Sequence, residues 1–235
     1  MRMDLHIHTL FSRTKRWGSA SLIEPRQLLD KAVELGLGAI AVTDHDEIDG
    51  SLFVAELAHD WGIVAVPGVE ISTAGGHILA LGVADMIPAG LTPADTVAAV
   101  HERGGIAVAA HPLNVVVSLR EKEIIALPLD AIETHNARSP RNHTAAALAG
   151  RLRIGCTGGS DAHAIDEVGA GITEMPGECA DYREIIKAIC DRKTFTHGTR
   201  ARYRHIARAS IRTAAKQKKA RIKNRILLGL GISPA

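Results

Sequence analysis

Histidines and acids recur along this chain in short clusters. They are Asp4-Leu5-His6-Ile7-His8-Thr9, Thr43-Asp44-His45-Asp46, Pro67-Gly68-Val69-Glu70 followed by His77, His111-Pro112, and Gly159-Ser160-Asp161-Ala162-His163. Imidazole nitrogens and carboxylate oxygens are the donors that zinc, manganese and iron accept. Each cluster arrives at or just beyond the end of an apolar run, which points to one site that holds more than one transition metal. His6 and His8 stand two apart in an extended segment, so both face one side and can grip one ion. Asp161 and His163 repeat that spacing. Glu70 has two oxygens and is suited to bridge two cations. Asp44 and Asp46 flank His45, and either is placed to orient its ring through the second nitrogen. His111 precedes a proline and is expected to be extended.

Elements able to deliver these groups alternate along the chain. Strands are predicted at 3–7, 38–43, 63–67, 78–82, 105–110, 129–134 and 154–158, and helices at 25–36, 50–61, 92–103, 118–126, 139–151 and 181–192. Gly36 stops the first helix, and Thr92-Pro93 opens the third with a cap and a first-turn proline. Repeated strand–helix units imply an α/β fold with a mostly parallel sheet, and about seven strands can close into a barrel. The 78–82 strand follows its predecessor so closely that part of the sheet is expected to be a hairpin. In such barrels functional groups gather at the C-terminal ends of the strands, where the clusters fall.

The chain has 235 residues, 46% of them hydrophobic and only 3% aromatic. That is enough for one core built from Ala, Val, Ile and Leu. Cys156, Cys179 and Cys190 lack zinc-knuckle spacing and read as reduced thiols. With the first motif beginning at Asp4, no leader is expected, and no apolar run reaches the ~20 residues of a membrane span. A cytoplasmic protein is expected. Charge is divided: from Arg192 onward there are 13 Lys and Arg and no acid, whereas residues 1–191 hold 15 basic and 26 acidic residues, a balance of −11. The organisation expected is a catalytic barrel over 1–200 and a basic helical tail over 201–235. That helix would carry Ile206, Ile211, Ala215, Ile222 and Ile226 along one stripe. It would pack on the acidic body, bind nucleic-acid phosphates or lie on an anionic membrane.

Taken in order, Asp-Leu-His-x-His-Thr, Thr-Asp-His, Pro-Gly-x-Glu, His-Pro and Gly-Ser-Asp-Ala-His resemble the motifs of the PHP family, the polymerase and histidinol phosphatase phosphoesterases. The resemblance covers roughly residues 3 to 200. It implies a distorted, TIM-barrel-like seven-stranded β/α barrel with a site for two or three ions of manganese, zinc or iron. By that resemblance His6, His8, Glu70 and Asp161 hold the first ion, Glu70, His77 and His111 the second, and His45 and His163 a third. The family usually places an acid or histidine about six residues after His8. Thr14 falls near that place, so two ions are expected and the third set is incomplete.

The implied activity is hydrolysis of a phosphate ester of a small phosphorylated or nucleotide substrate by a metal-activated hydroxide. His45 and His163 serve as ligands or as proton donors to the leaving group. Arg138, Arg141 and Arg13 are candidates to bind the phosphate, and Asp4 and Asp44 to support the ligands. His135 and His197 are candidates for the pocket wall. The segment between His77 and His111 is short, which implies an open site. Two alternatives are a nuclease that holds RNA or DNA on the basic tail and a barrel that has lost its metals and serves as a scaffold. Nothing in the sequence fixes an oligomeric state.

Overall fold

The computed structural model describes residues 1–12, 21–114 and 117–199. Among these, the elements run β1 (Arg2–Ile7), α1 (Pro25–Glu34), β2 (Ala39–Val42), α2 (Asp49–Ala58), β3 (Val64–Val66), β4 (Gly68–Ser72), β5 (His77–Leu81), α3 (Pro93–Glu102), β6 (Ile106–Ala109), α4 (Glu121–Ala126), β7 (Ala131–Asn136), α5 (Asn142–Leu152), β8 (Gly155–Gly159), β9 (Gly171–Glu174), α6 (Tyr182–Cys190) and β10 (Phe195–Gly198). Local chemistry sets the helix starts. Pro25 opens α1, and the Thr92 side chain accepts the Asp95 N–H ahead of Pro93 in α3. Leu28, Leu29 and Ala32 give α1 its buried stripe.

Strands pair into two five-stranded mixed sheets, ordered β10-β9-β1-β2-β3 and β4-β5-β6-β7-β8. The sheets touch at two seams. At one, His8 N donates to Ala162 O and Asp161 N to His6 O, at 3.0 and 2.8 Å. At the other, Asp46 N donates to Glu70 O and Glu70 N to Asp44 O, at 2.9 and 3.2 Å. Both seams lie at the strand ends that carry the motifs. Met3, Leu5, Ala39, Ala41, Leu79, Leu81, Val108 and Ala131 form one apolar cluster across both sheets, joined by Ile185 and Ile189 of α6. Two further clusters seat α1 and α2 on one sheet and α3, α4 and α5 on the other.

Two isolated bridges, Ile7 with Ala162 and His45 with Glu70, join the two sheets. The hairpin expected between the 63–67 and 78–82 strands is formed instead by an additional strand, β4, antiparallel to β5, while β3 lies in the other sheet. The short β9 and β10 add an antiparallel edge beside β1. The N-terminal loop with Arg13, Thr14, Lys15 and Arg16, and the tail over 201–235, lie outside the described residues. No helix among those described is long and apolar enough to cross a membrane.

Candidate metal centre

β1 delivers His6 and His8 to the strand-end face, and β8 runs against β1 because Gly159 has no side chain. A Cβ there would lie 2.7 Å from His6 N and 2.9 Å from His6 Cα. This close approach sets Asp161, in the left-handed region at φ 54°, beside both imidazoles. Two donor atoms each ~2.0–2.2 Å from one tetrahedral ion stand about 3.3–3.6 Å apart. His6 Nε2 lies 3.2 Å from His8 Nε2, 3.4 Å from Glu70 Oε2 and 3.8 Å from Asp161 Oδ1. His8 Nε2 lies 3.2 Å from Glu70 Oε2 and 3.3 Å from Asp161 Oδ1. Those five separations bracket the edges of such a tetrahedron, and all four side chains are buried or nearly so.

Glu70 turns its other oxygen to a second group. Its Oε1 is 2.7 Å from His77 Nδ1 and 2.8 Å from His111 Nε2. His45 Nδ1 sits 3.0 Å from Glu70 Oε2, yet this buried nitrogen has no hydrogen-bond partner. An unpartnered buried nitrogen facing a carboxylate suits a cation between them. Further sets of donors close enough for one ion are His8 with His45 and His163, and His45 with Glu70 and His77. His45 and His163 therefore lie together, with His8 beside them. The rings form a near-continuous wall: His8 is 4.5 Å from His45 and 4.3 Å from His163, and His45 is 5.1 Å from His77 between centroids.

Charge also fits a cation site. Burial would raise the pKa of Glu70, but the imidazoles of His45, His77 and His6 hold it well below the usual range. Asp161 is likewise held low against burial, by His6 and His8. Two buried carboxylates kept ionised require positive charge beside them. Burial disfavours charge on His8, but hydrogen bonds to Asp161 and Glu70 carry its pKa to about 8. Burial pushes His45 down to about 3 and His163 well below its ordinary value. Both are therefore neutral, the form that ligates metal, and burial disfavours the imidazolium that a proton donor needs.

Supporting contacts differ in part from expectation. Asp4 accepts the N–H of Ser160 at 2.9 Å and of Gly169 at 2.8 Å, pinning the Asp161 loop. Asp44 does not orient His45; it accepts both the N–H and the hydroxyl of Thr9, each at 2.5 Å, next to His8. Asp46 instead accepts the Ser72 N–H. His111 is not extended: its φ is 28°, because its N–H is drawn to Glu133 Oε2 at 2.6 Å. Glu133 on β7 was not singled out from the sequence, yet it is buried and its Oε1 also meets His6 Nδ1 at 2.9 Å. Asn136 donates to both Glu133 oxygens at 3.1 Å.

Other sequence candidates fall at varying distances from this centre. Arg138 Nη2 donates to Glu167 Oε2 at 2.7 Å, and Glu167 in turn accepts the His163 N–H at 2.8 Å. Arg141 is exposed at the start of α5. His135 Nε2 is buried beside Gly198 without a partner and joins none of the donor sets. His197 is exposed at the sheet edge, 3.0 Å from Glu174 Oε2, and does not line the centre. All three cysteines are free thiols, and none belongs to a donor set.

Comparison with known proteins agrees with this geometry. The chain is 36% identical over 141 residues to an uncharacterized protein of Methanocaldococcus jannaschii, covering 58% of this chain and 82% of that one. Its fold matches a two-domain protein of Bacteroides vulgatus containing a predicted PHP-like metal-dependent phosphoesterase, with TM-score 0.70 and 19% identity, over 85% of this chain and 65% of that one. It also matches PsfC of Pseudomonas syringae, with TM-score 0.66 and 25% identity, over 91% of this chain and 98% of that one. Residues 4–138 match the PHP domain and residues 140–194 the PHP-associated region. With more than half its length in that match and the motif residues gathered at one strand-end face, the chain belongs to the PHP domain family.

Proposed function

We propose that the chain is a metal-dependent phosphoesterase that hydrolyses phosphate esters of a small phosphorylated or nucleotide substrate. One observation carries this reading: the two oxygens of buried Glu70 face different sets of imidazoles. Oε2 meets His6, His8 and His45, while Oε1 meets His77 and His111. In this reading Glu70 would help to hold two divalent ions of manganese, zinc or iron, one toward each oxygen. His6, His8 and Asp161 complete the first set, and His77 and His111 the second. When bound, such ions supply Lewis acidity toward phosphoryl oxygens and a nucleophilic water at neutral pH. The likeness to a protein containing a predicted PHP-like phosphoesterase supports the same chemistry.

The chain's own groups take the remaining roles. His45 and His163, held neutral by burial, act as ligands for a further ion with His8. Arg138 lies close enough to lower the pKa of Asp161, and its Nε is buried without a partner. It orients the substrate phosphate while Glu167 holds its Nη2. The two sheets act as halves of one barrel, with the seams holding its ligands in register.

The test is a screen of phosphomonoesters, nucleotides and short oligonucleotides with the full chain, first stripped of metal and then supplied with manganese. Release of phosphate or a nucleotide from small esters, abolished by chelation, is the expected result. Hydrolysis of oligonucleotides alone would favour the nuclease reading. No hydrolysis by protein shown to carry metal would reject the enzyme reading.

A further inference from the structure

We infer that Glu133 is a positioning residue that fixes the presentation of His6 and His111 to two different ions and thereby couples their binding. This inference rests on the two-ion reading of Glu70 above. Glu133 is buried, and among the described residues no Lys or Arg is paired with it. Its carboxylate instead collects donors from the centre. Oε1 lies 2.9 Å from His6 Nδ1, Oε2 accepts the His111 N–H at 2.6 Å, and both accept from Asn136 Nδ2 at 3.1 Å.

Each contact has a consequence for a ligand. A carboxylate oxygen that accepts from His6 Nδ1 places the ring hydrogen there and the lone pair on Nε2. That nitrogen is the one facing His8, Glu70 and Asp161. His111 stands at φ 28°, a conformation few side-chain-bearing residues adopt, and needs surrounding structure to hold it. The short bond to Glu133 Oε2 supplies that restraint and leaves His111 Nε2 2.8 Å from Glu70 Oε1. Asn136 extends the network to Asp161 Oδ2 at 3.4 Å. His6 belongs to the set around Glu70 Oε2 and His111 to the set around Oε1. One side chain thus supports both halves of the centre. An amide serves this role poorly: its NH2 end would face either the His111 N–H, a donor, or His6 Nδ1, where it would favour the tautomer with the hydrogen on Nε2.

The experiment compares the full chain with Glu133→Gln. Manganese is titrated calorimetrically into metal-free protein, and metal per chain is counted after equilibration. The expected result is two ions in the parent and an affinity loss of about 10–100-fold for both in the variant, with the metal-free unfolding midpoint within a few degrees. Unchanged affinity, or loss at one ion only, would overturn the coupling while leaving the two-ion reading intact. A parent chain that binds no ion would overturn both. A second measurement needs no variant: nitrogen NMR of the zinc-loaded parent chain. It should find His6 Nδ1 protonated and Nε2 bound to zinc; the reverse assignment would overturn the role given to Glu133.

Discussion

Gly159→Ala tests whether the close seam between β1 and β8 builds the centre. The added carbon would lie 2.7 Å from His6 N and 2.9 Å from His6 Cα, and closer still to His6 Cβ, where ordinary contact begins at 3.4 Å. Relief of the backbone contacts alone, 3.4 less 2.7, moves the strands apart by about 0.7 Å in a region packed at crystal density. His8 Nε2 and Asp161 Oδ1, now 3.3 Å apart, would then stand about 4 Å apart, beyond the ~3.3–3.6 Å edge of a tetrahedral ion. Overpacking of this kind costs about 1–3 kcal/mol. For a chain of this size each kcal/mol lowers the midpoint by about 2–4 °C, so a drop of roughly 2–12 °C is expected. Thermal unfolding of metal-free protein reads that cost, and manganese titration reads the ligand displacement, with weaker binding expected. A variant that unfolds at the parent temperature and binds manganese with parent affinity would refute the argument that the absent side chain sets the site.

Other expectations follow from the same contacts. His8 has a folded pKa of about 8, above its ordinary 6.5, so its charged form contributes stability fully below 6.5 that is lost as pH rises through 8. An ion must displace that proton and those on His6 and His111, whose pKa values are also raised, so manganese affinity should rise with pH through about 8; titrations between pH 6 and 9 check this, and an affinity that does not change with pH would contradict it. Asp44→Ala removes the acceptor of two buried Thr9 donors. It should cost about 2–4 kcal/mol in urea unfolding of the metal-free chain, and a loss below about 1 kcal/mol would contradict the assignment. Arg138→Gln should raise KM for a phosphomonoester more than it lowers kcat, because the positive fork that orients phosphate is removed while Glu70 and its imidazoles remain. An unchanged KM would remove Arg138 from the substrate site.

Much of the centre was legible because metal ligation needs particular donors at strand ends, and short strands enforce the i, i+2 spacing seen at His6 and His8. Glu70 could be singled out because its two oxygens can face two groups of donors, as they do. Asp44 was misread because sequence proximity to His45 says nothing of Thr9, 35 residues away, whose donors it accepts. The pre-proline rule failed at His111 because one short bond to Glu133 outweighs a local backbone preference. Glu133 itself escaped notice because its partners lie 22 and 127 residues distant. In the fold, β4 was hidden by Pro67-Gly68, which looks like a turn. There the residue after the proline starts a strand whose N–H reaches Ser51 Oγ at 2.9 Å. Sheet closure depends on two bridges between distant segments, which no local pattern encodes.

The central claim is that Glu70 stands between two ions. Anomalous diffraction from crystals of the full chain grown with manganese tests it most directly. Two peaks are predicted, one bounded by His6, His8, Asp161 and Glu70 Oε2, the other by His77, His111 and Glu70 Oε1. A single peak that does not touch Glu70, or none in protein saturated with manganese, would contradict it.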